Sequence, residues 1–585
     1  MKRPDRILVT CCESRNAFGA VRSLAAAGWR VTAAGHAARV AAALGSRPDL
    51  AEVIHAPDPW QESKRYAEWL RARLVSFPDE WILPGNEGAL FAANQIRQET
   101  LDHHRFVMPS AQSLAFALSK YEATFAAGKA GVRIPATAFL RPPGGKELCR
   151  NLGTMAWPVL IKWDNHPSGG KYVKGGASVA MDASHAMDIL AELEPSSCGV
   201  IAQKIVPGHG VGAFFLRHRG KIMLRFAHRR LHEVPWPGGV SSLCESSDDQ
   251  EVLEAGERLL EAIDYEGVAM VEFRKQPGKP PVFLEINGRL WGSLGLALAA
   301  GADFPRAMVE CHLNSATEVK QPVLSRRLLW HDPGLQMDYL RSLWTRAPGP
   351  VDGPVPRWTG TLRVVGCFLD PRVRSDWWEW GQPFAGLKRY ARLWRREMAW
   401  LKAQLLQCLK SRGPHPLVAA AAERTVEWSK KPSRPENILF LCYGNILRSP
   451  YSEKRWNAWR QMHPELPPAV SVGFHDNADR ETPGRFKSAA GHRGVDLSEH
   501  RSRRVTAADV AEASVIFAMD LRNLGDMQRE FPEALGKMLL LGALGEGEDP
   551  EIPDPYGQPI GAGGAAYRRI DSCLERMRHL LGSSA

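Results

Sequence analysis

The chain has 585 residues, 44% hydrophobic and 24% charged, with a formal net charge of +11. That composition is globular rather than disordered or fibrous, and the length divides into about three or four domains. The positive surplus suits anionic partners such as phosphate compounds, nucleic acid or an acidic membrane face, without choosing among them. The opening stretch MKRPDRILVTCCESRNAFGA has no long apolar run, so no secretory leader is expected. No stretch reaches the roughly 18 uninterrupted apolar residues of a membrane span. The ten cysteines are scattered with no Cys-x-x-Cys pair, which reads as free thiols in a reducing cytoplasm.

Residues 6–35 predict strand, loop, helix and strand: RILVT, then AVRSLAAAG ending on Gly28, then WRVTAA. This is the βαβ opening of a doubly wound sheet. Gly19 stands alone, without the spaced glycines of a dinucleotide fingerprint, so the unit is read as structural.

Three features follow between 118 and 295. In LSKYEATFAAGKAGVRIPAT, Lys120 precedes a helix; in WPVLIKWDNHPSGGKYVKGG, Lys162 sits on a buried strand before a glycine-rich basic loop; GVAMVEFRKQPGKPPVFLEINGRLWGS is a strand pair ending in acidic residues. ATP chemistry explains the set. Phosphates need cations and backbone amides, which Lys120, Lys162 and the loop with Gly169, Gly170 and Lys171 supply. Magnesium, or manganese, needs hard oxygen ligands at the phosphate tail, and Glu272, Glu285 and Asn287 offer them. Arg289 can reach a transferring phosphoryl group. The strand AQKIV, with Gln203, Lys204 and Val206, offers backbone groups to the adenine edge. The ordered set resembles the ATP-grasp superfamily over roughly residues 1–325, in its carboxylate–amine ligase-like branch. EINGRLWGS resembles that family's Glu-Ile-Asn-Pro-Arg metal signature, with Gly288 replacing the proline. The resemblance implies a pre-ATP-grasp domain at the start. It also implies that FAHRRLHEVPWPGGVSS, with His228, Arg229, Arg230 and Ser241, faces an acyl substrate.

From about 326 to 435 the character changes to a tryptophan- and proline-rich connector with some structure of its own, carrying Trp330, Trp344, Trp358, Trp377, Trp378, Trp380, Trp394, Trp400 and Trp428. Within LKRYARLWRREMAWLKAQLLQCLK, Leu387, Tyr390, Ala391, Trp394, Met398, Leu401 and Leu405 share one helical face opposite a basic one. Two readings stay open: a helix lying on an anionic membrane, or a helix packed on a neighbouring domain with its basic face in water.

A new α/β domain begins at RPENILFLC. In ILFLCYGNILRSP a strand delivers Cys442 to a short loop closed by Arg448. A thiol is a strong nucleophile when amides and a helix N-terminus favour its thiolate, and the same groups bind phosphate. The loop YGNILR can wrap its amides around one anion, Arg448 can grip two phosphate oxygens, Ser449 can donate to the thiolate, and Pro450 suits a first helical turn. The stretch resembles the active-site loop of the low-molecular-weight protein tyrosine phosphatases. SVGF, GVDLSEHRSRRV, VIFAMDLRNL and PDPYG continue the resemblance in order over roughly 436–585. It implies that Cys442 carries a phosphocysteine, Arg448 and the loop amides stabilise the equatorial oxygens, Asn445 holds the loop's shape, Asp554 protonates the leaving oxygen and then activates water, and Tyr556 lines the mouth. Two departures stand out. Leu447 occupies the position where many relatives carry a second, disulfide-forming cysteine. Gly557 replaces an aromatic residue.

The expected fold is therefore α/β throughout: a pre-ATP-grasp domain (1–110), an ATP-grasp domain (111–325), the connector (326–435) and a doubly wound, parallel-sheet phosphatase domain (436–585). The expected chemistry is an ATP-dependent ligase joining a small carboxylate to an amine or related nucleophile, together with a phosphate monoester hydrolase. The alternative is a protein-tyrosine phosphatase acting on surface-polysaccharide machinery beside a biosynthetic ATP-grasp partner. No zinc knuckle, helix-turn-helix signature or aromatic RNA-binding motif points to nucleic acid.

Overall fold

In the computed structural model, the described residues are 5–44, 47–101, 103–140, 152–153, 155–168, 171–193, 199–236, 238–313, 328–345, 356–370, 373–375, 383–410, 415–430, 432, 434–545 and 549–582. The chain divides into two compact units: residues 1–144, 154–177 and 197–400, and residues 145–153, 178–196 and 401–585.

In the first unit, the buried run Arg6–Val9 is the inner strand of a four-stranded parallel sheet, flanked by Arg30–Gly35 and Glu80–Leu83, with Glu52–His55 at one edge. Continuous apolar strands suit a sheet covered on both faces. The first helix, Arg15–Ala26, begins earlier than AVRSLAAAG suggested, because Cys11 (φ 56) turns the chain and lets Ser14 enter the helix directly. Gly28 (φ +88) closes it, as a left-handed helix end requires. In a second sheet Val200–Lys204 pairs antiparallel with Thr137–Leu140 and with Val159–Trp163. The third has seven strands, in the order Val282–Asn287, Gly267–Lys275, His209–His218, Lys221–Val234, Val240–Ser247, Leu329–His331 and Val373–Ser375. Its last two strands come from the segment read as a connector.

The helices Pro333–Thr345 and Arg357–Leu369 also belong to this unit, joined by a small core of Met337, Tyr339, Leu343, Val364 and Leu393. His331 is 3% exposed here, and burial pushes its imidazole down to about 4, against a weaker pull from Asp332. The unfolded chain therefore takes up a proton that the folded chain refuses between the ordinary value of 6.5 and about 4. Stability is complete above that window and falls as pH drops through it, by about 2 kcal/mol at pH 5 from this group. Denaturant midpoints measured from pH 7 to 5 should fall in the wild type and fall less in His331→Gln.

The second unit is built on a four-stranded parallel sheet in the order Ala469–Gly473, Ile438–Cys442, Val515–Ala518, Met538–Leu540. All five residues of Ile438–Cys442 are buried. Helix Pro416–Lys430 packs on this sheet through Val418 and Ala421, and Thr425 Oγ1 accepts from Leu540 N at 2.9 Å. Helix Ala183–Glu192 also clusters with this unit, its Asp188 paired with Arg493 and Arg568. Among the described residues no helix is long and apolar enough to cross a membrane.

Candidate functional site

The strand Ile438–Cys442 ends on a thiol that is 2% exposed. Directly beyond it the chain turns through Asn445, whose φ of 47 lies in the left-handed region that asparagine tolerates better than most residues. The turn folds the loop back over the thiol, so that Asn445 N donates to Cys442 Sγ at 3.2 Å and Ser449 Oγ lies 3.0 Å from the same sulfur. The helix Arg448–Met462 starts at the end of the loop and presents its N-terminus there.

Asn445 is the hub of the loop. Its Nδ2 donates to Ser449 Oγ (3.2 Å) and Ser471 Oγ (3.0 Å), its Oδ1 accepts from Arg503 N (2.9 Å), and its carbonyl oxygen lies 2.7 Å from His500 Nε2. Gly473, opposite Cys442 on the neighbouring strand, makes room for the loop: a Cβ there would lie 2.7 Å from Tyr443 O and 2.8 Å from Asn445 N.

Arg448 is 1% exposed. Its Nη1 donates to Asp520 Oδ2 (2.6 Å) and Ile552 O (2.7 Å), and Nη2 lies 2.9 Å from Asp554 Oδ2. Burial alone would lower its pKa; Cys442, Asp520 and Asp554 outweigh burial and raise it. The guanidinium is thus a fixed cation at the loop's mouth. Asp554 is half-exposed, and Tyr556 beyond it is exposed, its N–H donating to Asp554 Oδ1 at 3.1 Å. Gly557 adopts φ +75, so an aromatic residue here would be strained. Leu447 is buried beside Ile446 and Phe486. Five residues of the sequence reading, Cys442, Asn445, Arg448, Ser449 and Asp554, therefore meet around one cradle. Asp520, His500, Ser471, Arg503 and Gly473 escaped it individually, although each lies in one of the ordered blocks quoted above.

The first unit gathers a second set. Glu272 and Glu285 are cross-strand partners, and Asn287 Nδ2 lies 3.2 Å from an oxygen of each. Burial raises the Glu272 pKa, while Arg230, whose Nη2 donates to Glu272 Oε2 at 2.6 Å, pulls it down. Burial also pushes on Glu285, but Lys120 and Lys162 outweigh it and hold Glu285 below its ordinary value. Lys162 is 7% exposed and lowered by burial, with Glu285 opposing. Lys120 is the first residue of helix Lys120–Lys129, where Asp164 Oδ1 accepts from its N–H at 2.5 Å.

Other predicted residues are placed differently. Arg289 donates to Glu87 Oε1 at 2.6 Å. Gln203 is buried and donates to Thr137 Oγ1 at 3.2 Å, and Lys204 N donates to Ala136 O at 2.9 Å, so these strand groups are already paired. Lys204 and Val206 line a cavity of about 210 Å³ with Arg274 and Val282. Gly169 and Gly170 lie outside the described residues, and only the backbone of Lys171 is described. The next residue, Tyr172, stacks on Trp60 (5.4 Å) and Phe91 (3.7 Å), tying strand Lys171–Val173 to the N-terminal sheet domain. His228 is buried against Ser293 Oγ at 3.1 Å, Arg229 pairs with Glu245, and Ser241 Oγ donates to Leu243 O at 3.1 Å.

Burial and the neighbouring Glu285 both raise the Glu272 pKa, a cost that a cation beside the pair would offset, and two carboxylates with an amide oxygen are the hard donors magnesium takes. The residues fit such an ion, and Arg230 supplies the positive charge beside Glu272. Gly288 also has a packing reason to replace proline: a Cβ there would lie 2.8 Å from that of Ala117.

A strand-end thiol under a fixed arginine is an arrangement suited to binding phosphate, and two lysines near a pair of carboxylates are one suited to a nucleotide and its metal ion. The chain belongs to the low-molecular-weight protein-tyrosine-phosphatase family through its C-terminal part, and it carries an ATP-grasp domain ahead of it. The model of the low molecular weight phosphotyrosine protein phosphatases matches residues 437–583, and that of "ATP-grasp in the biosynthetic pathway with Ter operon" matches residues 215–330. The chain is 30% identical over 149 residues to the probable low molecular weight protein-tyrosine-phosphatase EpsP of Ralstonia nicotianae, spanning 25% of this chain and 98% of that one. It is 28% identical to a protein-arginine-phosphatase of Geobacillus stearothermophilus, over 25% of this chain and 97% of that one. A biotin carboxylase structure from Campylobacter jejuni aligns with a TM-score of 0.44 at 17% identity, over 56% of this chain and 74% of that one. Both assigned domains belong to enzyme families.

Proposed function

We propose that the chain is a bifunctional cytoplasmic enzyme whose C-terminal unit hydrolyses phosphotyrosine in proteins and whose ATP-grasp domain joins a small carboxylate to a nucleophile through an acyl phosphate. The observation that carries the first half is the convergence of Asn445 N and Ser449 Oγ on Cys442 Sγ, beneath a buried Arg448 paired with Asp554. Cys442 Sγ attacks phosphorus, an S–P bond forms and the P–O bond to the leaving group breaks, while Asp554 gives its proton to the departing oxygen. Water then attacks the phosphocysteine, passes a proton to Asp554, and phosphate leaves with the sulfur regenerated as thiolate. Arg448 and the loop amides hold the equatorial oxygens throughout, and Ser449 stabilises the departing sulfur.

In the ATP-grasp domain Glu272, Glu285 and Asn287 would hold magnesium or manganese, which supplies charge neutralisation at the ATP phosphates. Lys120 and Lys162 would bind phosphate oxygens, and Arg230, now paired with Glu272, would meet the acyl carboxylate. Because the two activities share one chain, the ligase product or a phosphorylated precursor is a candidate phosphatase substrate. A phosphatase that ignores every ligase product would end that link.

Hydrolysis of p-nitrophenyl phosphate at mildly acidic pH tests the chemistry. Phosphotyrosine and phosphoarginine peptides then test the substrate, since the similarity to a protein-arginine-phosphatase favours phosphoarginine as a second reading. Faster turnover of phosphoarginine than of phosphotyrosine would replace the first assignment. Asp554→Asn removes the transferable proton, so kcat on phosphotyrosine should fall about 10²- to 10³-fold. The fall should be smaller on p-nitrophenyl phosphate, whose leaving group needs less protonation. Equal losses on both substrates would remove Asp554 from the acid role.

A further inference from the structure

Helix Arg357–Leu369 is packed on one side and bare on the other. Val364 is buried in the small core with Tyr339 and Leu343, and a Cβ at Gly360 would lie 2.5 Å from Leu343 Cδ1, so the helix sits tight against its neighbour. Its opposite side carries Trp358, Leu362, Val365 and Leu369, which are 73%, 70%, 48% and 76% exposed. These positions follow the i, i+4, i+7, i+11 spacing that normally marks the face a helix buries.

A second helix repeats the pattern beside it. In Pro383–Lys410 the packed residue is Leu393, at 4% exposure, while Trp394 and Met398 are 52% and 59% exposed. On the apolar face legible in the sequence, Ala391, Trp394, Met398 and Leu401 are thus exposed, while Tyr390 is half-buried against Phe368. The two helices adjoin through Phe368, whose ring lies 6.4 Å from that of Trp394 and 5.9 Å from that of Tyr390.

The charges around this surface are mostly positive. Arg357 and Arg363 lie on the first helix, and Arg392, Arg395 and Arg396 on the described part of the second. The one acidic side chain on that part, Glu397, is held by Arg341 at 2.7 Å and by Arg396 at 2.9 Å. Tryptophan and leucine on a face flanked by arginine is the composition of an interfacial helix, whose apolar side enters the headgroup boundary while its cations meet anionic lipid. A second copy of the chain would bring like charges together, which disfavours self-association.

We propose that this face docks the chain on an anionic bilayer surface. The proposal needs neither catalytic activity. It is tested by flotation of the full chain with vesicles of phosphatidylcholine containing phosphatidylglycerol, and with vesicles of phosphatidylcholine alone. The wild type should float with the anionic vesicles, less so as salt rises, and weakly or not at all with the neutral ones. The double variant Leu362→Glu with Leu369→Glu should lose about tenfold or more of that binding while keeping the wild type's circular dichroism and cooperative thermal unfolding, which shows that the unit carrying the helix is folded. Absence of flotation, equal flotation with both vesicles, or unchanged flotation of the variant would overturn the proposal. So would a wild-type dimer that the same variant converts to a monomer, because the face would then be an interface between copies.

Discussion

Cys442→Ser should abolish phosphatase turnover, lowering p-nitrophenyl phosphate hydrolysis by about 10⁴-fold or more, with the fold intact. Serine nearly preserves the volume at the strand end, and its hydroxyl can keep the contacts from Asn445 N and Ser449 Oγ that sulfur receives at 3.2 Å and 3.0 Å. It cannot replace the thiolate, since a hydroxyl is hardly ionised and the two groups that meet the Cys442 side chain, Asn445 N and Ser449 Oγ, are hydrogen-bond donors rather than bases. Phosphate binding should persist, because the loop amides and Arg448 are untouched. Initial rates together with phosphate affinity separate the two effects: lost turnover with retained affinity places Cys442 on phosphorus. Substantial remaining turnover would place the nucleophile elsewhere.

Glu285→Gln should have the second-largest effect, on the other activity. Glu285 is held ionised by the charges of Lys120 and Lys162 and lies opposite Glu272 on the neighbouring strand. The variant removes the charge of a proposed metal ligand and the counter-charge of two lysines, one of them buried, so magnesium-dependent ATP affinity should fall about 10²-fold or more. Titration of ATP with and without magnesium gives the result. The expected pattern is loss of the magnesium-dependent part, with p-nitrophenyl phosphate turnover unchanged. Undiminished magnesium-dependent affinity would remove Glu285 from the metal set.

How much was legible in the sequence depended on how far apart the cooperating residues lie. Cys442 and Arg448 share one short loop, so their spacing suggests a phosphate cradle, and the ordered blocks that follow strengthen it. Asn445 needs no distant partner to turn the loop, but the groups that fix its amide, Ser471 and Arg503, lie 26 and 58 residues away and become visible only in the fold. Asp520, 72 residues from Arg448, is likewise placed by a parallel strand pairing rather than by local pattern. In the ATP-grasp domain the buried strand around Lys162 and the acidic strand pair were readable. The ion pairs Arg230–Glu272 and Arg289–Glu87 were not, because nothing local announces a partner 42 or 202 residues away. The second helix of the docking face shows the limit of periodicity. Its apolar stripe was correctly placed on one side, but amphipathic spacing cannot say whether that side meets a core or the solvent. Among the described side chains of this helix Leu393, outside the stripe, is the most buried, and Tyr390, inside it, packs on Phe368.

The most direct test is to mix Asp554→Asn with p-nitrophenyl phosphate, whose leaving group departs without the acid, quench rapidly, and locate the phosphoryl group by peptide mass spectrometry. Slowed breakdown in this variant should leave a phosphoryl group on the peptide that contains Cys442, absent when Cys442→Ser is added. A phosphoryl group on another residue, or turnover with none trapped anywhere, would contradict a phosphocysteine enzyme.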